Sequence, residues 1–131
     1  MLLQAEKLIE YVEATSEDRP AIVLGDFNVG HDFPTEGLVA EGEPVLDLLE
    51  AAFPPAYAAD YMPACTFCID NPNLGLDSKN GWIDHILMYN LTADAVTATK
   101  RTFDEDVVDI GGGVMVPLSD HYGMQSVIQV P

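Results

Sequence analysis

The run Ala21-Ile22-Val23-Leu24-Gly25 constrains this chain more than any other segment. It is continuously apolar, follows Pro20 and stops at a glycine. Such a run is too short for a helix and reads as a strand buried on both faces. Asp26-Phe27-Asn28 then sits at the C-terminal tip of a buried strand, where chemistry collects in α/β sheets. Ahead of it, residues 2–14 read as an amphipathic helix. Leu2, Ala5, Leu8, Ile9 and Val12 recur at helical spacing, with Glu6, Lys7, Glu10 and Glu13 mostly on the other side. Thr15 to Pro20 is polar and ends in a helix breaker.

Pro44 to Phe53 reads as a second helix, with Val45, Leu48 and Leu49 on one face. Phe53 to Pro63, rich in proline and alanine, and Asp70 to Gly81, rich in Asn, Gly, Pro and Asp, read as loops. Trp82 to Tyr89 reads as a second strand, apolar on both sides apart from Asp84 and His85. Val96 to Phe103 alternates weakly and reads as a third strand. Gly111-Gly112-Gly113 reads as a turn, and Gly123 to Val130 as a final strand. There is no internal repeat and no interdomain linker, so 131 residues make one domain. The expected fold class is α/β, with one mixed β-sheet and flanking helices.

Charge narrows the partners. The formal net charge is −17, from 22 acidic and 5 basic side chains. No Lys or Arg occurs between Arg19 and Lys79, where ten carboxylates lie. Nucleic-acid binding is therefore not expected, because a duplex meets a basic face that displaces its counterions. A neutral or zwitterionic substrate fits, as does a polyanion bridged by metal ions; a highly solvated acidic surface accounts for the same charge without any partner. No run reaches the roughly 18 apolar residues of a membrane span. Met1 to Glu10 has no basic leader before a long apolar stretch, so no signal peptide is expected here, and the compartment stays open. Cys65 and Cys68 are the only cysteines. They are half of a tetrahedral zinc site without a second pair, a local disulfide in an exported protein, or two ordinary thiols.

Buried strands rarely carry charge without a partner or a task. Three places break that rule: Asp26 and Asn28 after the first strand, Asp84 and His85 inside the second, and Asp120 and His121 before the last. In extended chain Asp26 and Asn28 point the same way, whereas Asp84 and His85 point oppositely, so only one of that pair shares a given site. Each has a plain alternative. Asp26 caps a turn, Asp84 is a salt-bridged core residue, His121 is a structural histidine; His31 and His85 read as non-catalytic. Together, Asp26, Asn28, Asp84, Asp120 and His121 supply hard oxygen ligands for Mg²⁺ and a histidine oriented by a carboxylate.

Gly25-Asp26-Phe27-Asn28 resembles the GDxN motif of the endonuclease/exonuclease/phosphatase family. Trp82-Ile83-Asp84-His85-Ile86-Leu87 resembles its Asp-bearing strand, and Ser119-Asp120-His121 its SDH motif, all in the family's order. The resemblance covers essentially the whole chain but only the C-terminal half of the family's fold. It implies that residues 1–131 form a partial domain, half of a four-layer α/β sandwich of two packed sheets. The family's first half supplies an asparagine and the glutamate that is the main Mg²⁺ ligand, and neither position is found here. A fragment, or a half completed by another chain, is therefore expected, with an exposed apolar patch and a tendency to self-associate.

The resemblance also implies roles. His121 contacts the scissile phosphate as general acid/base or electrostatic stabiliser, and Asp84 orients it. Asp26 positions or deprotonates the attacking water, and Asn28 hydrogen-bonds the phosphate or a metal-bound oxygen. Asp120 contributes to the Mg²⁺ site, with Asp26 and Asn28 as further metal contacts. The acidic surface disfavours the family's DNA-repair and DNase branches, and the short Gly25-Asp26-Phe27-Asn28-Val29 segment and the Cys-Thr-Phe stretch before a long polar loop resemble the sphingomyelinase-like branch. That implies cleavage of a phospholipid phosphodiester at a membrane surface, with release of a phosphorylated head group. The alternatives are a Mg²⁺-dependent nuclease or phosphatase of the same family, or an inactive acidic half-domain acting as a binding module.

Overall fold

The computed structural model describes residues 1–75 and 78–130. Residues 76–77 of the loop read from Asp70 to Gly81 lie outside the described residues. In chain order the elements are α1 (Leu2–Ser16), β1 (Ala21–Asp26), α2 (Glu43–Ala52), β2 (Asp84–Tyr89), β3 (Val96–Thr102), β4 (Val107–Asp109), β5 (Met115–Pro117) and β6 (Gly123–Ile128). The fold is mixed α/β. Its strands pair as β1–β2, β3–β6 and β4–β5, all antiparallel.

The single mixed sheet expected from the sequence is thus replaced, among the described residues, by three small antiparallel pairs. The reason lies in the segment after α2. The Ala56 N–H donates to the Ile86 carbonyl and the Met88 N–H to the Pro54 carbonyl, so residues 54–56 occupy the second edge of β2. On its far side the same segment meets the β3–β6 pair. The Ala58 N–H donates to Thr99 Oγ1 at 2.9 Å, and the Ser126 hydroxyl donates to the Ala56 carbonyl. A Pro-Pro-Ala stretch suits an edge, because proline has no N–H with which to continue a ladder.

Two apolar clusters hold these parts together. Ala5 and Val12 of α1, Leu49 of α2, Phe53 and Leu87 form one, with Leu8, Ile9, Val23, Phe27 and Val45 packed around them. Both helices therefore cover the same face of β1–β2. Fully burying side chains of this size stabilises by about 1.5–3 kcal/mol each. Ala56, Ala58, Met88, Leu91 and Val96 form the second cluster, on the opposite side of β2.

β2 is buried on both faces, as its run of apolar residues predicts: Leu87 and Met88 are both 0% exposed. β1 departs from that expectation. Ala21 and Val23 turn inward and are half-buried, but Ile22 is 40% and Leu24 68% exposed. Strand alternation sends these two outward, where both stay exposed. Leu2, placed on the apolar face of α1 by spacing, is likewise exposed in the first turn. The glycines at 111–113 all have positive φ and close the β4–β5 hairpin, whose strands the sequence pattern did not reveal.

Candidate functional site

The antiparallel register of β1 and β2 runs from Ala21 opposite Tyr89 to Asp26 opposite Asp84. It puts two carboxylates face to face at one end of the pair. Like charges directly opposite are destabilising, so this corner calls for a cation. His121 supplies a basic group there: its Nδ1 lies 2.8 Å from Asp84 Oδ2. Ligand atoms of Asp26, Asp84 and His121 all lie within 4.8 Å of one another.

Burial pulls the His121 imidazole down. The Asp84 hydrogen bond and the charges of Asp84, Asp26 and Asp120 outweigh it, and the pKa is raised above the ordinary 6.5. The proton shared with Asp84 sits on Nδ1, which leaves Nε2 as the ring nitrogen able to exchange a proton with a ligand.

Asn28 and Asp120 stand differently from the sequence expectation. β1 ends at Asp26, and Asn28 adopts a left-handed conformation with φ of 53°. The Asn28 N–H donates to Asp26 Oδ1 at 2.9 Å, so the Asp26 carboxylate closes a turn while also facing Asp84. Asn28 and Asp26 therefore do not point the same way as extended-chain alternation predicts, although Asn28 stays exposed beside the corner. Asp120 is exposed and accepts a bond from the Ser119 hydroxyl at 3.4 Å. It is not among the converging ligand groups; it acts on His121 through charge.

Four residues not among the sequence-predicted site residues position the site: Thr66, Phe67, Asn71 and Asn73. Thr66, 0% exposed, accepts the Ile83 and Asp84 N–H groups on Oγ1, both at 3.2 Å, and the Tyr122 N–H on its carbonyl. It thus ties the start of β2 to the residue after His121. Asn71, 2% exposed, donates to the Ser119 carbonyl at 2.9 Å, and Asn73 donates to the carbonyls of Pro117 and Ser119. Phe67 pairs with His121 along the backbone and lays its ring 5.1 Å from the imidazole. An Asn-x-Asn pair in a loop is the only local signal of this tether.

The other histidines are held for different reasons. His85 points to the opposite side of β2 from Asp84. Its Nε2 lies 2.7 Å from the Val29 carbonyl and its Nδ1 2.9 Å from the Tyr57 hydroxyl, and burial lowers its pKa. It is a neutral structural histidine.

His31 bridges the start of α2 to its end, with Nδ1 3.3 Å from Glu43 and Nε2 3.0 Å from Glu50. Burial works against its charge, but Glu50, Glu43 and Asp47 together raise its pKa above 6.5. The stabilisation is therefore complete below pH 6.5 and is lost as pH rises through the raised folded value. The stability difference between the wild type and His31→Gln, measured by urea unfolding, is expected to shrink between pH 6 and pH 8 by on the order of 0.5 kcal/mol. A difference that grows with pH would contradict this assignment.

Cys65 and Cys68 are joined to each other, so neither the zinc nor the free-thiol reading describes this structure. Beside the site, a cleft of about 490 Å³ shares Phe67 and Ile83 with it and carries Glu41, Lys79 and Asn80. Comparison of the chain with family models, with curated proteins and with solved structures returns no match.

Proposed function

We propose that this chain carries the acid–base part of a divalent-metal-dependent phosphodiester hydrolase of the endonuclease/exonuclease/phosphatase type. The observation that carries the reading is the His121–Asp84 hydrogen bond of 2.8 Å beside the opposed carboxylate of Asp26. A paired histidine next to an unneutralised carboxylate is what in-line attack on a phosphodiester requires: one group to move a proton and one to orient water. The oxygen donors at this corner suit a hard cation such as Mg²⁺, with Asp26 and the second oxygen of Asp84 as the groups that would hold it and Asn28 alongside. Such an ion, when bound, neutralises charge on the phosphate oxygens.

The chain's own residues do the rest. Asp84 fixes the His121 tautomer and stabilises its imidazolium. His121 Nε2 gives a proton to the leaving oxygen or donates to a phosphate oxygen. Asp26 orients the attacking water. Thr66 and Asn71 keep His121 and Asp84 in register.

Two finer readings belong with this proposal. The exposed outer face of β1, with Ile22 and Leu24, supports a second sheet packing there, as in a four-layer sandwich of which this is one half. The acidic surface, and a neighbouring cleft bearing both Glu41 and Lys79, support a zwitterionic phospholipid head group over DNA as the substrate. The expected result is slow hydrolysis of bis-(p-nitrophenyl) phosphate that requires Mg²⁺ and stops with EDTA, with sphingomyelin cut in preference to plasmid DNA. Turnover indifferent to EDTA would sink the metal-dependent reading. Preference for plasmid would sink the lipid one.

A further inference from the structure

The residues enclosed by the Cys65–Cys68 disulfide are the ones that tether the candidate site. Thr66 holds the Asp84 and Tyr122 amides, and Phe67 pairs with both Gly81 and His121. Arg101 lies against the bridge: its Nη1 is 3.6 Å from Cys65 Sγ and 3.7 Å from Cys68 Sγ. The same guanidinium sits 4.8 Å from the centre of the Tyr122 ring and pairs with Asp104. Cys68 is fully buried, whereas Cys65 is half-buried. An Asp70 carboxylate oxygen also lies within 4.8 Å of both sulfurs and, with Asp104, works against that cation, but the Arg101 guanidinium is the charged group in direct contact with the bridge. A fixed cation in contact with two sulfurs favours thiolate over thiol, and stabilising the reduced form makes a disulfide easier to reduce.

We propose that Cys65–Cys68 is a thiol–disulfide exchange site that takes a dithiol as its reductant, and that its redox state sets how firmly Asp84 and the His121 segment are held. A thiolate of the dithiol attacks Cys65 Sγ, the more accessible sulfur. The Cys65–Cys68 bond breaks, a mixed disulfide forms at Cys65, and Cys68 leaves as a thiolate beside Arg101. The second thiol of the reductant, after losing its proton to solvent, attacks its own sulfur in the mixed disulfide. That step releases Cys65 as a thiolate, which takes up a proton. The dithiol loses two electrons and becomes a cyclic disulfide; the protein pair gains them. Reduction frees the ends of the Thr66-Phe67 segment, and the tether slackens. The inference is independent of the phosphodiesterase reading, since it concerns the bridge and two backbone amides.

The test uses the whole chain equilibrated with reduced and oxidised dithiothreitol, with thiols counted by alkylation and amide exchange followed by NMR. In the reduced chain the Asp84 and Tyr122 amides are expected to exchange roughly tenfold faster, with a ceiling of about twentyfold set by closure of a four-residue loop. The Phe53 amide, bonded to the Leu49 carbonyl, keeps its protection. The double variant Cys65→Ser/Cys68→Ser should reproduce the reduced pattern. Arg101→Gln should shift the equilibrium toward the disulfide by about tenfold at pH 9, about 30 mV, and by less than about twofold at pH 6, while Arg101→Lys retains most of the effect. A bridge that stays oxidised in excess dithiothreitol while the chain remains folded overturns the proposal. So does a reduced chain whose Asp84 and Tyr122 amides keep their protection within twofold, or an Arg101→Gln shift of the same size at both pH values.

Discussion

His121→Ala is expected to lower kcat/KM for bis-(p-nitrophenyl) phosphate by about 10²–10⁴-fold at saturating Mg²⁺, the range that one positioned acid–base group contributes. Asp26 and Asp84 oppose each other, and the imidazole bonded to Asp84 is the basic group facing them. Removing it takes away the proposed proton carrier and leaves two carboxylates repelling each other. The fold should survive, because the side chain is not part of either apolar cluster and the backbone of the segment is tied elsewhere, by Thr66, Asn71 and Asn73. Circular dichroism of the variant should match the wild type. Asp84→Asn should lower turnover too, since a neutral amide no longer stabilises the imidazolium. A His121→Ala variant within about tenfold of wild type would show that this histidine does not have the proposed proton-transfer role.

Phe53→Ala is expected to cost about 3–5 kcal/mol of folding stability, a large share of the roughly 5–15 kcal/mol available to a domain. Phe53 is 0% exposed and packs edge-on against Tyr89, with ring centres 6.1 Å apart. It stands just after α2, where its N–H donates to the Leu49 carbonyl and ends the helix. It therefore joins α2 to the β1–β2 pair, and the cavity left by alanine would open between them. Urea unfolding of the two proteins measures the difference. A loss below about 1 kcal/mol would mean that the helices are not clamped to the sheet through this residue.

The longer elements were readable because their signals are local. The 3.6-residue spacing of Ala5, Leu8, Ile9 and Val12 fixes which side of α1 is apolar, and that side meets the core. The apolar runs at β1 and β2 mark both strands, and the charged residues at their ends mark the corner where Asp26 and Asp84 meet. The opposite orientations of Asp84 and His85 follow from alternation alone, and their partners differ accordingly: His121 for one, Val29 and Tyr57 for the other.

What the chain's order left open is decided by contacts between distant segments. No local pattern says that Pro54–Ala56 will take the free edge of β2 and keep β3–β6 as a separate pair. Exposure of Ile22 and Leu24 has the same origin. An apolar run specifies that a strand can be covered on both sides, and only the packing determines whether anything covers it. Asn28 left the expected direction because one hydrogen bond to the Asp26 carboxylate outweighs an extended-chain preference. Thr66, Asn71 and Asn73 carry no periodicity; each matters through a hydrogen bond to backbone far along the chain. Propensity and periodicity act over a few neighbours, so the helices, the four longer strands and the residues able to do acid–base chemistry could be read from the chain's order, while the short β4–β5 hairpin could not. The tertiary structure decided which of those residues meet, because loop-closing hydrogen bonds and the coverage of an apolar face depend on segments that the chain brings together only on folding.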